Sequence, residues 1–169
     1  MNKPIRVIPK LDIKGANLVK GIHLEGLRVL GNSYSFAYNY YKDGADELIY
    51  QDVVASLYGR NSLNDLIKKT SENIFIPITV GGGIRSIDNI KNCLKAGADK
   101  VAINTEAVKN PQFINISANT FGSSTIVLSV ETQKNVNGDY MIYTDNGREF
   151  TGIKLLDWIE EIQTRGAGE

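Results

Sequence analysis

The 169-residue chain contains one cysteine and one histidine, and this scarcity excludes several classes of site. Cys93 cannot form an internal disulfide, and its place in a predicted helix favours a packing role. His23 has no histidine, cysteine or carboxylate partner at the spacing of metal ligands. The sequence therefore predicts no metal site, and we predict no cofactor.

The chain also lacks net charge and long apolar segments. Its 19 basic and 19 acidic side chains balance to zero, so no electrostatic footprint for nucleic acid or for an anionic membrane is present. No apolar run approaches the roughly 20 residues needed to span a bilayer, and residues 1–4 lead into a predicted strand without a signal-peptide core. We therefore predict a cytoplasmic protein that binds neither nucleic acid nor membrane.

What the chain does contain is a regular alternation of apolar, β-branched runs with segments of helical period. This alternation predicts an α/β fold with a parallel sheet, either a barrel or a doubly wound sheet. The length suits one core, so we predict a single domain over residues 1–169. The predicted strands are Ile5–Ile13, Glu47–Asp52, Phe75–Val80, Lys100–Asn104 and Ser124–Glu131. The predicted helices are Tyr34–Lys42, Leu63–Ser71, Ile87–Leu94, Gln112–Thr120 and Ile153–Thr164.

A recurring tetrad favours the barrel. Gly44-Ala45-Asp46-Glu47 and Gly97-Ala98-Asp99-Lys100 each precede a predicted strand, and Gly166-Ala167-Gly168-Glu169 follows the fifth helix. A unit that recurs at every second strand is typical of a barrel built from paired βα units. We therefore expect a partial (βα)8 TIM-type barrel with about five βα units, truncated before a sixth strand.

Two segments depart from this alternation. Asn-Gly pairs at 137–138 and 146–147 flank Tyr140–Tyr143, which predicts an antiparallel hairpin inserted near residues 132–150. The segment Lys14–Ser33 is too long for a plain connection, and long loops at the carboxyl end of a barrel strand usually carry function.

Polar residues cluster where the predicted strands end, which is where a βα barrel has its active site. After the third strand, Gly81–Gly83 allow backbone N–H groups to approach a phosphate closely, although a tight turn without a ligand has the same pattern. Asp12 and Glu131 could act as general acid and base, or serve as helix caps or solvated strand ends. The other polar residues at these ends are Lys10, Asp52, Asn104 and Thr105.

Five blocks carry a resemblance to a known family. They are Leu11-Asp12-Ile13-Lys14, Leu18-Val19-Lys20-Gly21, Thr79-Val80-Gly81-Gly82-Gly83-Ile84, Gly97–Val101 through Asn104-Thr105, and Arg165–Glu169. In order and spacing they resemble the cyclase subunit of imidazole glycerol phosphate synthase. The resemblance implies a (βα)8 barrel that forms a heterodimer with a glutaminase. Ammonia from the glutaminase then passes through the barrel to a bis-phosphorylated ribulosyl-formimino aminoimidazole carboxamide ribonucleotide, yielding imidazole glycerol phosphate and an aminoimidazole carboxamide ribonucleotide.

The resemblance also implies roles for individual residues. Asp12 matches a catalytic carboxylate, and Asp99 matches a position that contacts the glutaminase. Lys20 matches a loop lysine that reaches the anionic substrate, and Asp52 matches a polar residue of the site. One phosphate cradle is matched by Gly82, Gly83, Asn104 and Thr105. The charged ring that gates ammonia at the bottom of the barrel is matched by Arg6, Glu47, Lys100 and Glu169.

Three departures from the family pattern favour an alternative. Glu131 stands where the family has aspartate, and the extra methylene moves the carboxylate by roughly 1–1.5 Å, enough to cost ~100-fold in rate when chemistry depends on position. Lys10 stands where the family usually has cysteine. The loop Gly21–Arg28 is similar to a paralogous branch that relays ammonia to a nucleotide-sugar amidotransferase of surface-polysaccharide biosynthesis.

Overall fold

The protein is described by a computed structural model that covers residues 5–22, 25–55 and 63–169. Contacts divide the chain into two compact units. Unit 1 comprises Met1–Gly83 and Asp88–Val101, and unit 2 comprises Ile84–Ile87 and Ala102–Glu169. That residues 1–169 form a single domain stays a prediction.

The alternation of strands and helices is observed at the predicted places. The strands are β1 (Lys10–Lys14), β2 (Asn17–Ile22), β3 (Glu25–Asn32), β4 (Leu48–Asp52), β5 (Ile78–Gly81), β6 (Lys100–Ile103), β7 (Ile126–Leu128), β8 (Glu131–Lys134), β9 (Tyr140–Thr144) and β10 (Glu149–Lys154). The helices are α1 (Ser33–Lys42), α2 (Asn64–Ser71), α3 (Ile87–Ala96), α4 (Thr105–Lys109), α5 (Gln112–Phe121) and α6 (Leu155–Thr164). A short 3₁₀ turn over Ser123–Thr125 precedes β7.

The sheet of unit 1 is parallel at its centre, with strand order β3-β2-β1-β4-β5-β6. In β4, Leu48, Tyr50 and Asp52 are buried, whereas Ile49 and Gln51 are partly exposed. Since successive side chains of a strand point to opposite faces, one face carries the apolar core and the other carries the half-buried positions. In unit 2, β6 ends beside β7, and the Ser129 N–H donates to the Ile103 carbonyl at 2.9 Å.

The long segment after β1 forms a hairpin that the sequence pattern did not predict. β2 pairs antiparallel with both β1 and β3. Gly15 has a φ of +59° in the turn that joins β1 to β2. Glycines interrupt the apolar alternation here and weaken the intrinsic strand signal. Pairing with β1 supplies the backbone partners that local sequence cannot.

The insertion after β7 is larger than the predicted hairpin. It is a three-stranded antiparallel sheet of unit 2, in the order β10-β9-β8. Its β8–β9 turn is held by Asn135, whose Oδ1 accepts from the N–H groups of Asn137 and Asp139 at 2.9 Å each. β7 ends at Leu128, and Glu131 is the first residue of β8. The prediction that Glu131 ends a barrel strand was therefore wrong in its strand boundary.

Each copy of the tetrad ends a helix with the same turn. The first glycine has a positive φ in all three copies, +90° at Gly44, +113° at Gly97 and +98° at Gly166. Its N–H donates to the carbonyl three residues earlier, and the N–H of the next alanine donates to the carbonyl five residues earlier, at 3.0–3.1 Å. This is the Schellman arrangement, so the first glycine of each tetrad ends its helix.

The third residue of the tetrad ties each new strand to the preceding one. The Asp46 N–H donates to the Val7 carbonyl at 3.0 Å, and the Asp46 carboxylate accepts from the Val7 N–H at 2.6 Å. Asp99 makes the same two hydrogen bonds with Ile78, at 2.9 and 2.8 Å. Gly168 makes the corresponding N–H bond to the Ile126 carbonyl at 3.1 Å. A Cβ on Gly168 would lie 2.2 Å from the Ser123 oxygen. Steric exclusion therefore explains why the third copy has glycine in place of aspartate.

Tyr50 leads to a prediction about stability at high pH. Its ring is buried, its hydroxyl lies 3.1 Å from the Thr70 hydroxyl, and burial raises its pKa from 10.0 to about 12. The unfolded chain ionises this group near pH 10 and the folded chain near pH 12, so the stability linked to protonated Tyr50 is present below pH 10 and lost between these values. In Tyr50→Phe, the free energy of unfolding measured with urea should fall less steeply between pH 10 and pH 12 than in the wild-type protein. Tyr40→Phe, at an exposed position on α1, should keep the original decline.

Candidate functional site

Asp12 is the central residue of β1 and lies on the face opposite the apolar core. Leu11 and Ile13 beside it are buried, whereas the Asp12 side chain is 36% exposed. One of its oxygens, Oδ1, is itself buried and has no hydrogen-bond partner among the residues that the structure describes. The Lys10 amine lies 3.7 Å from this oxygen on the same face. A buried carboxylate oxygen without a partner is costly unless a ligand donates to it.

Gln51 lies beside Asp12 and was missed by the sequence reasoning. The parallel register pairs Asp12 with Gln51 on β4, and Gln51 with Gly81 on β5. Paired positions of neighbouring strands share a face, so an amide and a carboxylate lie together on one face. The alternation within Leu48–Asp52 places Gln51 on the face opposite Tyr50, which was the available signal.

Asp52 caps the turn that follows β4. Its Oδ1 accepts from the N–H groups of Val54 and Ala55 at 3.0 Å each. Burial raises the pKa of the Asp52 carboxyl above its usual range, and these two bonds partly oppose the rise. The described contacts of this oxygen are therefore within the chain, and the substrate-binding role of Asp52 stays a prediction.

The glycine run packs against the same turn. Gly82 has a φ of +108°, and a Cβ there would lie 2.4 Å from the Asp52 carbonyl oxygen. Gly83 has a φ of +68°, and a Cβ there would lie 2.9 Å from the Ala55 Cβ. Close packing of two backbone segments requires these glycines whether or not a phosphate binds. The phosphate-binding role of Gly82 and Gly83 stays a prediction.

Asn104 and Thr105 begin α4 in unit 2. Asn104 is the N-cap residue, and its backbone carbonyl accepts from the Val108 N–H at 3.2 Å. The Thr105 Oγ1 accepts from the Asp145 N–H at 3.3 Å, which connects α4 to the β9–β10 turn. Their predicted phosphate contact is not tested by these bonds.

Glu131 contacts the same turn from β8. Its Oε2 accepts from the Gly147 N–H at 2.9 Å. Asp12 belongs to unit 1 and Glu131 to unit 2, and their joint acid–base role stays a prediction.

Three of the four predicted gate residues are joined around one carboxylate. Glu47, only 6% exposed, accepts from the Arg6 guanidinium through Oε1 and from the Lys100 amine through Oε2 at 2.9 Å. Arg6 precedes β1, Glu47 precedes β4 and Lys100 begins β6, so these charges meet at the amino ends of the strands. Glu169 lies in unit 2, where its backbone carbonyl accepts from the Leu128 N–H at 2.8 Å.

The remaining predicted residues have simpler surroundings. Lys20 is exposed on β2, opposite Arg28 of β3. Asp99 is exposed, and its carboxylate accepts from the Ile78 N–H at 2.8 Å. His23 lies outside the described residues. Within residues 5–22, 25–55 and 63–169, no group of three or more His, Cys, Asp or Glu side chains could hold a metal ion.

Comparison with known proteins identifies the family. Residues 6–169 match the family described as histidine biosynthesis protein. The chain belongs to this family. Its α/β fold of the (βα)8-barrel type, with the parallel central sheet, is thereby confirmed.

Three relatives of the chain share the name imidazole glycerol phosphate synthase subunit HisF. The protein from Legionella pneumophila is 59% identical over 98% of this chain and 78% of its own length. Those from Natranaerobius thermophilus and Thermobifida fusca are 44% and 43% identical over 97% and 100% of this chain. This member of the histidine biosynthesis protein family thus spans 65 to 78% of the length of these relatives. In the described part of the chain, no helix has the length and apolar character needed to cross a membrane.

Proposed function

We propose that the protein is the cyclase subunit of imidazole glycerol phosphate synthase. It would use ammonia from a glutaminase partner to convert the bis-phosphorylated ribulosyl-formimino ribonucleotide to imidazole glycerol phosphate and the aminoimidazole carboxamide ribonucleotide. Asp12 would act as general acid and base, and Glu131 would be the second carboxylate.

One observation carries the proposal. The buried Oδ1 of Asp12 accepts a hydrogen bond from none of the described residues, although Asp12 lies at the centre of β1 on its polar face. An acceptor that has only the Lys10 amine at 3.7 Å and no hydrogen-bond donor is suited to an O–H or N–H group of a substrate, because binding would supply the missing hydrogen bond. Gln51 lies beside it and could orient the same group.

The opposite ends of these strands support a glutaminase partner. Ile5, Val7 and Phe75 precede β1 and β5 and are 91%, 62% and 78% exposed. Apolar side chains exposed together on one end of a sheet favour a protein interface. Glu47 and its two cations lie at the same strand ends, so ammonia delivered there would meet the charged group first.

The direct test supplies the full-length protein with an ammonium salt and the ribonucleotide, and follows the loss of substrate absorbance. We expect turnover that saturates with the ribonucleotide. Turnover no higher than that of Asp12→Asn would exclude cyclase activity.

Glu47→Gln tests the ammonia gate. With the carboxylate neutralised, Arg6 and Lys100 lose the charge that holds them together, so the gate should no longer keep its shape. We expect glutamine-driven turnover to fall at least about tenfold relative to ammonium-driven turnover. Asp88→Asn, at an exposed position in the first turn of α3, should leave this ratio unchanged. An equal fall in both activities would indicate general destabilisation instead of a gate.

A second candidate function is relay of ammonia to a nucleotide-sugar amidotransferase. Two observations favour it: the Lys10 amine is 3.7 Å from the proposed catalytic carboxylate, and Glu131 is held by the Gly147 N–H. Co-purification with a glutaminase and a third enzyme, together with inactivity on the ribonucleotide, is the result expected of a relay. Gain of cyclase activity in Glu131→Asp would favour descent from an active cyclase.

A further inference from the structure

The β9–β10 turn makes two hydrogen bonds to residues of the proposed site. The Asp145 N–H donates to the Thr105 hydroxyl at 3.3 Å, and the Gly147 N–H donates to the Glu131 carboxylate at 2.9 Å. Thr105 begins α4 and Glu131 begins β8, so a single turn joins two elements that are 26 positions apart in the chain. All of these residues belong to unit 2.

The turn has an unusual backbone. Asp145, Asn146 and Gly147 have φ values of +53°, +63° and +78° in succession. Residues other than glycine seldom adopt this region, and it costs free energy unless the surroundings impose it. The turn is closed by the Arg148 N–H, which donates to the Thr144 carbonyl at 3.1 Å. This conformation gives both N–H groups fixed positions.

We propose that the turn Asp145–Gly147 is a positioning element for the reaction. It holds the Glu131 carboxylate and the Thr105 hydroxyl through backbone N–H groups, so that the place of each depends on the other. The proposal rests on the proposed cyclase function for its kinetic consequence, but not for the hydrogen bonds themselves.

The proposal also accounts for the length of residue 131. A glutamate reaches one methylene further than an aspartate, roughly 1–1.5 Å. Its Oε2 attains a good hydrogen-bond distance to Gly147, whereas an aspartate at the start of β8 would fall short by that amount. The turn and the glutamate therefore form a matched pair.

Amide hydrogen exchange tests the hydrogen bond. Glu131→Gln keeps an oxygen that accepts from Gly147, and Glu131→Asp withdraws it. We expect the Gly147 amide to exchange at least about tenfold faster in Glu131→Asp, and at nearly the wild-type rate in Glu131→Gln. Equal exchange rates in the two variants would overturn the proposed hold on Glu131.

Kinetics tests the positioning role without altering either held residue. Asp145→Gly combined with Asn146→Gly keeps both N–H groups and permits the same φ values, but it leaves the turn more flexible and removes the exposed ion pair of Asp145 with Lys109 at 3.4 Å. We expect kcat to fall about tenfold or more, with KM changed less than about twofold. As a matched control, Asn135→Ala loosens the other turn of the same inserted sheet and should leave kcat within about twofold.

Faster exchange at Asp145 and Gly147 without a fall in kcat would overturn the positioning role. A fall in kcat of the same size in Asn135→Ala would also overturn the positioning role, because a loss of stability in the inserted sheet would then be enough to explain the slower reaction. If the wild-type protein shows no turnover, the proposed function fails, and the exchange comparison by itself decides whether Glu131 is held by the turn.

Discussion

Asp12→Asn is expected to lower kcat of the ammonium-driven reaction by about 100- to 10,000-fold, the usual contribution of a positioned acid–base group. Asparagine has nearly the shape of aspartate and keeps an oxygen at Oδ1, so a substrate N–H or O–H could still bind there. It cannot take up and return a proton at neutral pH. We therefore expect KM to change little while kcat falls, as measured by initial rates over a range of ribonucleotide concentrations.

Asp65→Asn provides the control for this experiment. Asp65 is an exposed carboxylate in the first turn of α2, and its replacement should leave kcat within about twofold, since a surface substitution has small effects. A loss in Asp12→Asn no greater than that in Asp65→Asn would contradict the acid–base role. Unfolding curves of both variants should coincide with the wild-type curve within about 1 kcal/mol, which separates chemistry from folding.

Gly82→Ala is expected to lower the free energy of unfolding by about 2 to 5 kcal/mol. The backbone at Gly82 has a φ of +108°, which strains any other residue by roughly 1–2 kcal/mol. In addition, the new Cβ would lie 2.4 Å from the Asp52 carbonyl oxygen and 2.9 Å from the Asp52 Cβ. Both neighbours are fixed by the capped turn after β4, so relief requires backbone movement, and overpacking of this kind costs about 1–3 kcal/mol more.

Gly44→Ala separates the two contributions. Gly44 has a similar φ of +90°, but a Cβ there would meet nothing within 4 Å. It should cost only about 1–2 kcal/mol from the backbone. Urea unfolding with an unchanged m-value measures both variants. Equal destabilisation in Gly82→Ala and Gly44→Ala would show that the contact with Asp52 is unimportant.

Much of the fold could be predicted because its signals are local. The alternation of apolar runs with helical period places β4 to β7 and five helices within a few residues of their observed positions. The tetrad glycines predict the helix ends for the same reason, since a left-handed C′ residue needs no distant partner. β2 and β3 were missed because their stability depends on pairing with β1, a contact that no local pattern in a glycine-rich segment reveals.

In the candidate site, too, some features could be predicted from local sequence and others depended on contacts between strands. That Asp12, Glu131 and the glycine run follow or approach strand ends is visible in the sequence, and the family blocks add their proposed roles. Gln51 was missed because its importance comes from register with Asp12, and register is a property of two strands. The boundary between β7 and β8 was missed because strand Ser124–Glu131 is continuous in its pattern, whereas pairing with β9 separates Glu131 from it.

By itself, the sequence determined the family, the α/β class and the residue types available for chemistry, because motifs and periodicity are written in the order of residues. Only the tertiary structure decided what each of those residues contacts. Glu47 joins two cations and Glu131 accepts from Gly147, since folding brings each partner close from a separate part of the chain. The open oxygen of Asp12 is likewise a tertiary fact, because an unfilled acceptor is defined by what surrounds it.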